Sequence, residues 1–196
     1  MNFFLTLVAS DQLISAGQLE RCESFFQDHA LALKGAPRWL CPHKAADFKL
    51  AGKPDHQQIT ALRTLLNEDR IDVFITSETG RRKKLLIADM DSTIVSGETL
   101  DELAGEAGIK DQIAPITAKA MRGELDFEQA LRARVKLLGG LGETLVKKTL
   151  ERTVLNPGAE IFVRSMKKTG AVCVLVSGGF TLFTSVFSDK AGFDST

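Results

Sequence analysis

The amino-acid sequence predicts an α/β protein in two parts. Residues 1–80 form a small unit of β-α-β-β-α-β order, and residues 81–196 form a parallel α/β unit interrupted by a helical insert at about 96–154. Three observations carry that prediction. Short apolar runs alternate with segments of helical spacing through the first eighty residues. The small and polar residues Ser77-Glu78-Thr79-Gly80 then give way to the basic cluster Arg81-Arg82-Lys83-Lys84. Beyond that break stand two continuous apolar runs, Leu85–Ala88 and Ala171–Val176, of the kind seen in strands covered on both faces of a parallel sheet.

In the first unit, Phe3 to Ala9 is an apolar run suited to a strand. Gly17 to Leu33 has helical spacing through Leu19, Cys22, Phe25, Phe26 and Ala30. Extended pieces follow at Arg38–Leu40 and Ala46–Leu50. Ile59–Leu66 is helical, with Ile59, Leu62, Leu65 and Leu66 on one side, and Ile71–Ile75 is a strand. That order is the ferredoxin-like split pattern. The basic cluster 81–84 reads as a solvated linker face, because no aromatics interleave it as they would in a nucleic-acid patch.

In the second unit, Thr99-Leu100-Asp101-Glu102 is a capping box opening a helix that reaches about Ala107. A helix over Asp111–Met121 is expected to be interrupted or offset at Pro115. Asp126-Phe127-Glu128-Gln129 caps a helix to Leu138, and a fourth covers Glu143–Arg152. Asn156-Pro157-Gly158 breaks the chain. A helix over Ala159–Lys168 then leads through Gly170 into the second buried strand, and a further helix follows Gly179.

The 196 residues carry 44% hydrophobic and 26% charged side chains, which excludes disordered, collagenous and coiled-coil classes. Lys+Arg and Asp+Glu are both 25, so neither nucleic acid nor a membrane is expected as a partner held by charge. The three cysteines, Cys22, Cys41 and Cys173, form no Cys-x-x-Cys pair and no disulfide framework, which fits a reducing, cytoplasmic setting. Cys41-Pro42-His43 lacks a second ligand pair at zinc spacing and reads as a buried thiol beside a loop histidine. The N-terminus lacks the basic lead of a signal peptide, and no apolar run approaches the about 20 residues of a membrane helix. A soluble protein is expected.

Asp89-Met90-Asp91-Ser92-Thr93 directly follows the first buried strand, and open parallel sheets bind ligands beyond the carboxyl ends of their strands. Two carboxylates two residues apart there can point into one crevice, beside hydroxyls able to hold an anion. A carboxylate attacks only a strongly electrophilic target, and a metal-bound phosphoryl group is one. Ser177-Gly178-Gly179 ends the second strand, where a hydroxyl and main-chain N–H groups opening a helix make an anion seat. Arg134 falls on the apolar stripe Phe127–Leu131–Leu138, so it must snorkel or meet an anion, while Arg132 lies off the stripe and is solvated. Glu98 sits one residue before the Thr99 cap, where acidic groups commonly face a helix dipole.

Asp89-x-Asp91-x-Thr93 after an apolar strand matches the first motif of haloacid dehalogenase-type phosphatases, and Ser177-Gly178-Gly179 resembles their second. The longer string from Asp89 to Thr99, with Glu98 in place, is similar to the phosphoserine phosphatases within that superfamily. The resemblance implies a Rossmann-like core carrying a helical cap. It implies that Asp89 is the nucleophile that forms an aspartyl-phosphate on O-phospho-L-serine, and that Asp91 gives and later takes the proton. Mg2+ would bind at Asp89 and Asp91, Ser177 and Gly178 would hold the phosphate, and Glu98 and Arg134 would grip the ammonium and carboxylate. Met121 and Phe127 match apolar positions that close over substrate, a spacing that equally suits core packing.

By topology the first unit resembles the ACT-type domains that bind amino acids, and formation of a homodimer stands beside ligand sensing as its role. The likeness to the phosphatases runs from about Leu85 to Asp194. The family's phosphate-holding lysine and its acidic Gly-Asp-Gly-x-x-Asp-like loop are not found, and Lys190 follows Ser177 too closely to be that lysine. The expectation is therefore the N-terminal portion of a longer enzyme, starting at a native Met1 and lacking part of the metal and phosphate machinery, so that these 196 residues alone are expected to be an inactive fragment. Two other readings stay open: a phosphatase or phosphotransferase of the same superfamily acting on another small phosphate ester, and a non-catalytic amino-acid-binding module.

Overall fold

The computed structural model describes residues 1–196. They group into two compact units, Met1–Arg82 and Lys83–Thr196.

The first unit contains β1 (Phe3–Ala9), α1 (Ala16–Asp28), β2 (Arg38–Cys41), β3 (Ala45–Leu50), α2 (His56–Leu66) and β4 (Ile71–Ser77). The strands form one antiparallel sheet of order β2-β3-β1-β4, with Leu5 paired to Phe48 on one side and to Ile75 on the other. Alternation sends Leu5, Leu7, Phe48, Leu50, Ile71 and Val73 to one face, where Cys22, Phe25 and Phe26 of α1 and Leu62 and Leu66 of α2 close the core. Burial pushes the Cys22 thiol up to about 12, so it is an inert core group.

Both helices begin at reciprocal capping boxes, Ser15 with Gln18 and Asp55 with Gln58. The second box starts α2 three residues ahead of the expected Ile59. The first helix stops at Asp28 rather than Leu33, because Ala30 turns to a φ of 52°. Leu65 is exposed, so the apolar side of α2 is narrower than its leucines suggest. Cys41 is exposed, contrary to expectation, because β2 is an outer strand whose residues all face solvent.

The face of the sheet away from the helices holds a buried charge. Register places Thr6 and Arg38 directly opposite Asp47 on the neighbouring strands. The Thr6 hydroxyl donates to Asp47 Oδ1 at 2.7 Å, and the Arg38 guanidinium lies at 3.2 Å. Arg81 donates through both terminal nitrogens to the two carboxylate oxygens, each at 2.7 Å, and stacks 4.2 Å above the Phe4 ring. Arg81 is thus a structural anchor and not part of a solvated linker face, which is why the first unit runs to Arg82.

The second unit contains β5 (Leu85–Asp89), α3 (Thr99–Glu106), α4 (Lys110–Met121), α5 (Phe127–Leu138), α6 (Glu143–Arg152), α7 (Ala159–Lys168), β6 (Val172–Val176) and α8 (Thr181–Ala191). The two strands pair in parallel, from Leu85 with Val172 to Asp89 with Val176. Cys173 and Leu175 pack with Val163 of α7 and Phe183 and Phe187 of α8. Only this face is covered. Leu85 and Ile87 are 55% and 63% exposed, so the expectation of a strand sheltered on both faces fails here. Asp194 and Ser195 run parallel along the far edge of β6, through Asp194 N–H to Cys173 O at 2.8 Å and Leu175 N–H to Ser195 O at 2.9 Å.

The helical insert leaves and rejoins this core through two crossings that pair Val95 with Leu155. Asn156 clasps them: its main-chain N–H reaches Ile94 O at 2.9 Å, and its side-chain amide donates to Thr93 O at 2.7 Å and Val95 O at 3.2 Å. Helix α4 continues through Pro115 without the expected interruption. No helix of the chain is long and apolar enough to cross a membrane.

Burial alone would raise the Asp47 carboxyl, but the hydrogen bonds from Arg81 and Thr6 and the nearby positive charge outweigh it and hold it below its ordinary range. Its stabilising effect is therefore present above the unfolded value near pH 4 and is lost as pH falls through the lower folded value. Arg81→Ala, which strands the Asp47 charge, is expected to cost about 3 kcal/mol at neutral pH. The penalty should shrink as the medium is acidified below about pH 4. Urea unfolding followed by the fluorescence of Trp39, the chain's single tryptophan and a residue of the first unit, reads this directly.

Candidate active site

A cleft of about 180 Å³ opens beyond the carboxyl ends of β5 and β6, lined by Asp89, Asp91, Glu98, Leu100, Phe127, Arg134, Ser177, Gly178 and Gly179. Three larger hollows, of about 460, 550 and 370 Å³, lie on the first unit, but none stands at the end of a parallel strand.

The parallel register builds the cleft. With Asp89 opposite Val176, the next residues on each strand leave the sheet side by side. Met90 turns fully inward, and Asp89 and Asp91 both line the cleft. The Ser177 hydroxyl donates to Asp91 Oδ2 at 3.3 Å and accepts the Gly179 N–H at 2.9 Å. The other Asp91 oxygen accepts the Thr99 N–H at 2.8 Å. This corrects the reading of Thr99 as a cap: Thr99 is the first helical residue of α3, and Asp91 is what satisfies its N–H.

Between those aspartates and α3 the chain makes one tight turn. Met90 O accepts from the N–H groups of Thr93, Ile94 and Val95 at 3.3, 2.9 and 3.0 Å. Ser92 adopts a φ of 52°, with its N–H on Gly97 O at 2.8 Å and its hydroxyl on Glu98 Oε1 at 2.9 Å.

The wall facing the strand ends comes from α5, which Asp126 and Gln129 start by the expected capping box. Arg134 is half-buried there, its Nε donating to Ala130 O at 3.3 Å. The Phe127 ring lies against Gly178, where a Cβ would come within 2.6 Å of Cζ. A side chain at 178 would displace the ring from this position. Of the remaining sequence candidates, Met121 is 75% exposed and does not line the cleft. Arg132 pairs with Glu128 on the helix surface, and Lys190 stands over the Phe187 ring.

No group of three or more His, Cys, Asp or Glu gathers to hold a metal ion. The hard oxygen donors at the strand end are Asp89 and Asp91. One or two carboxylates sharing an ion with waters and a phosphate is the coordination Mg2+ accepts, so the donor set suits that ion. Each Asp91 carboxylate oxygen also accepts one hydrogen bond, from Thr99 N–H and from the Ser177 hydroxyl, which fixes its orientation at the strand end.

Sequence reasoning missed three contributors. In the sequence Asn156 is legible only as a chain breaker beside Pro157-Gly158, the Ser92 hydroxyl looks like an anion holder but bonds Glu98 instead, and Leu100 looks like ordinary helix. Their roles depend on which carbonyl, carboxylate or cleft each meets.

The family model for haloacid dehalogenase-like hydrolases matches residues 86–196, and the chain belongs to that family. Within it, the chain is 38% identical over 155 residues to a phosphoserine phosphatase of Streptomyces coelicolor, covering 78% of this chain and 38% of the relative. A solved structure described as a phospho-aspartyl intermediate analogue of phosphoserine phosphatase is 43% identical, with a TM-score of 0.55 over 59% of this chain and 55% of the other. A haloacid dehalogenase family hydrolase from Salmonella enterica serovar Typhi shares the fold, with a TM-score of 0.80 and 24% identity over 99% of this chain and 66% of the other. The chain spans about a third to a half of the length of the curated relatives it matches.

The double bonding of Asp91 predicts different behaviour for its two nearest replacements. Asp91→Ala removes the acceptor at the start of α3 and is expected to cost about 1 kcal/mol of stability. Asp91→Asn keeps an acceptor oxygen and should unfold close to the wild type, as thermal denaturation of the two variants will show.

Proposed function

We propose that this chain carries the nucleophile half of a phosphoserine phosphatase, hydrolysing O-phospho-L-serine to L-serine and phosphate through an aspartyl-phosphate. The carrying observation is the division of one small cleft by charge. Paired carboxylates and an anion seat lie at the strand ends, and Glu98 and Arg134 supply opposite charges from the helical insert. A phosphate ester bearing both an ammonium and a carboxylate matches that division. The names of the relatives and the aspartyl intermediate of the solved structure support the same reading.

In this mechanism the phosphate sits against the Ser177 hydroxyl and the Gly178 N–H, while Arg134 holds the carboxylate through its planar fork and Glu98 the ammonium. Asp89 attacks phosphorus, and Asp91 protonates the serine oxygen as the P–O bond breaks. Asp91, now a carboxylate, takes a proton from the water that attacks the aspartyl-phosphate, which frees Asp89 and inorganic phosphate. Mg2+ would be held by the Asp89 carboxylate and the Asp91 main-chain carbonyl and would neutralise phosphoryl charge when bound. Helices α3–α6 act as the cap, with Phe127 closing the phosphate end, and the first unit serves as an ACT-type regulatory domain. The three free cysteines agree with work in the cytoplasm.

The test is Mg2+-dependent phosphate release from O-phospho-L-serine. Asp89→Asn should abolish it, and Arg134→Ala should raise KM by on the order of 10- to 100-fold. Release from a simple alkyl phosphate as fast as from phosphoserine would point instead to a family member acting on another phosphate ester.

A further inference from the structure

We propose that Ser92 is a positioning residue that sets the ammonium selectivity of the cleft by aiming the Glu98 carboxylate, an inference that rests on the amino-acid reading given above. Ser92 is one of four non-glycine residues with positive φ, together with Ala30, His43 and Arg70, and the one that belongs to the second unit. A left-handed conformation carries a steric cost for serine that glycine would not pay. The side chain must therefore do something at this position, and the structure shows what. Its hydroxyl donates to Glu98 Oε1 at 2.9 Å, while its N–H closes the loop onto Gly97 O at 2.8 Å.

Glu98 needs such a partner. It stands at the N-cap of α3 with extended backbone, and its side chain makes no bond to the helix it precedes. Glu102, four residues on, brings a second carboxylate to the same loop, with Oε1 close to Gly97. Two carboxylates brought to one loop repel. The Ser92 hydroxyl opposes that repulsion, fixes one Glu98 oxygen and leaves the other free for a cation in the cleft.

The full chain and two variants test this by calorimetric titration with two ligands. These are O-phospho-L-serine and 3-phosphooxypropanoate, the same ester with hydrogen in place of the ammonium. Ser92→Gly removes the hydroxyl and relieves the backbone. Ser92→Asn tolerates the left-handed conformation and restores an N–H donor. Ser92→Gly should melt no lower than wild type yet lose about tenfold of the preference for phosphoserine, and Ser92→Asn should recover most of it. A wild type with the preference and a Ser92→Gly variant that keeps it overturns this proposal alone. Equal weakening of both ligands in Ser92→Gly also overturns it, because Ser92 is then merely structural. A wild type without any preference overturns the amino-acid reading and this inference together.

Discussion

The parallel register of β5 on β6 is the constraint on which the second unit depends. Pairing Asp89 with Val176 sets the exit points of the two strands level. The carboxylates of one strand then meet the hydroxyl and glycines of the other without a designed loop. Asp91 and Ser177 are 86 residues apart in sequence and bonded at 3.3 Å, a contact that only the sheet delivers. A slip of one residue would turn Met90 toward the cleft and an aspartate into a core otherwise built of Leu175, Phe183 and Phe187. The penalty for burying a charge there enforces the register as strongly as the hydrophobic gain does.

From that fixed point the chain must turn at once to enter the helical insert. One carbonyl, Met90 O, collects three N–H groups, and Asn156 covers the carbonyls of Thr93, Ile94 and Val95 from the returning crossing. Every polar group so named is satisfied within a few residues of the cleft, so the turn is rigid where the proposed chemistry needs position. The insert is then free to supply Glu98 and Arg134 from separate helices, since both are aligned to the same strand ends. In the first unit a single centre plays the comparable role: Asp47, buried among Thr6, Arg38 and Arg81, ties two strands and the following segment by charge.

Features governed by local chemistry were legible in the sequence. Short apolar runs revealed the strands, and the Asp126–Gln129 box marked the start of α5 to the residue. The aspartate motif and the Ser177-Gly178-Gly179 turn could be joined because each follows an apolar strand. What escaped depends on partners far along the chain. Thr99 looks like a cap from its neighbours, yet its N–H is taken by Asp91. Arg81 looks solvated within a basic run until Asp47, 34 residues earlier, is seen beneath it. Cys41 and Leu85 look apolar enough to be buried, but burial is decided by what covers a strand and not by the strand's own composition.

The position of Phe127 follows from the same logic carried one step further. An aromatic ring that is 63% exposed gains little from burial, so hydrophobicity does not explain its place at the start of α5. The capping box fixes the first turn of that helix, and the absence of a side chain on Gly178 lets the ring settle directly on the backbone of the Ser177-Gly178-Gly179 turn. In the proposed mechanism a ring there stands beside the N–H groups that would face a phosphate, and an electrostatic contact strengthens where apolar groups replace water. The apolar group is thus set where it raises the value of polar ones. That accounts for the glycine, the ring and the cap standing together although Phe127 and Gly178 are 51 residues apart in the chain.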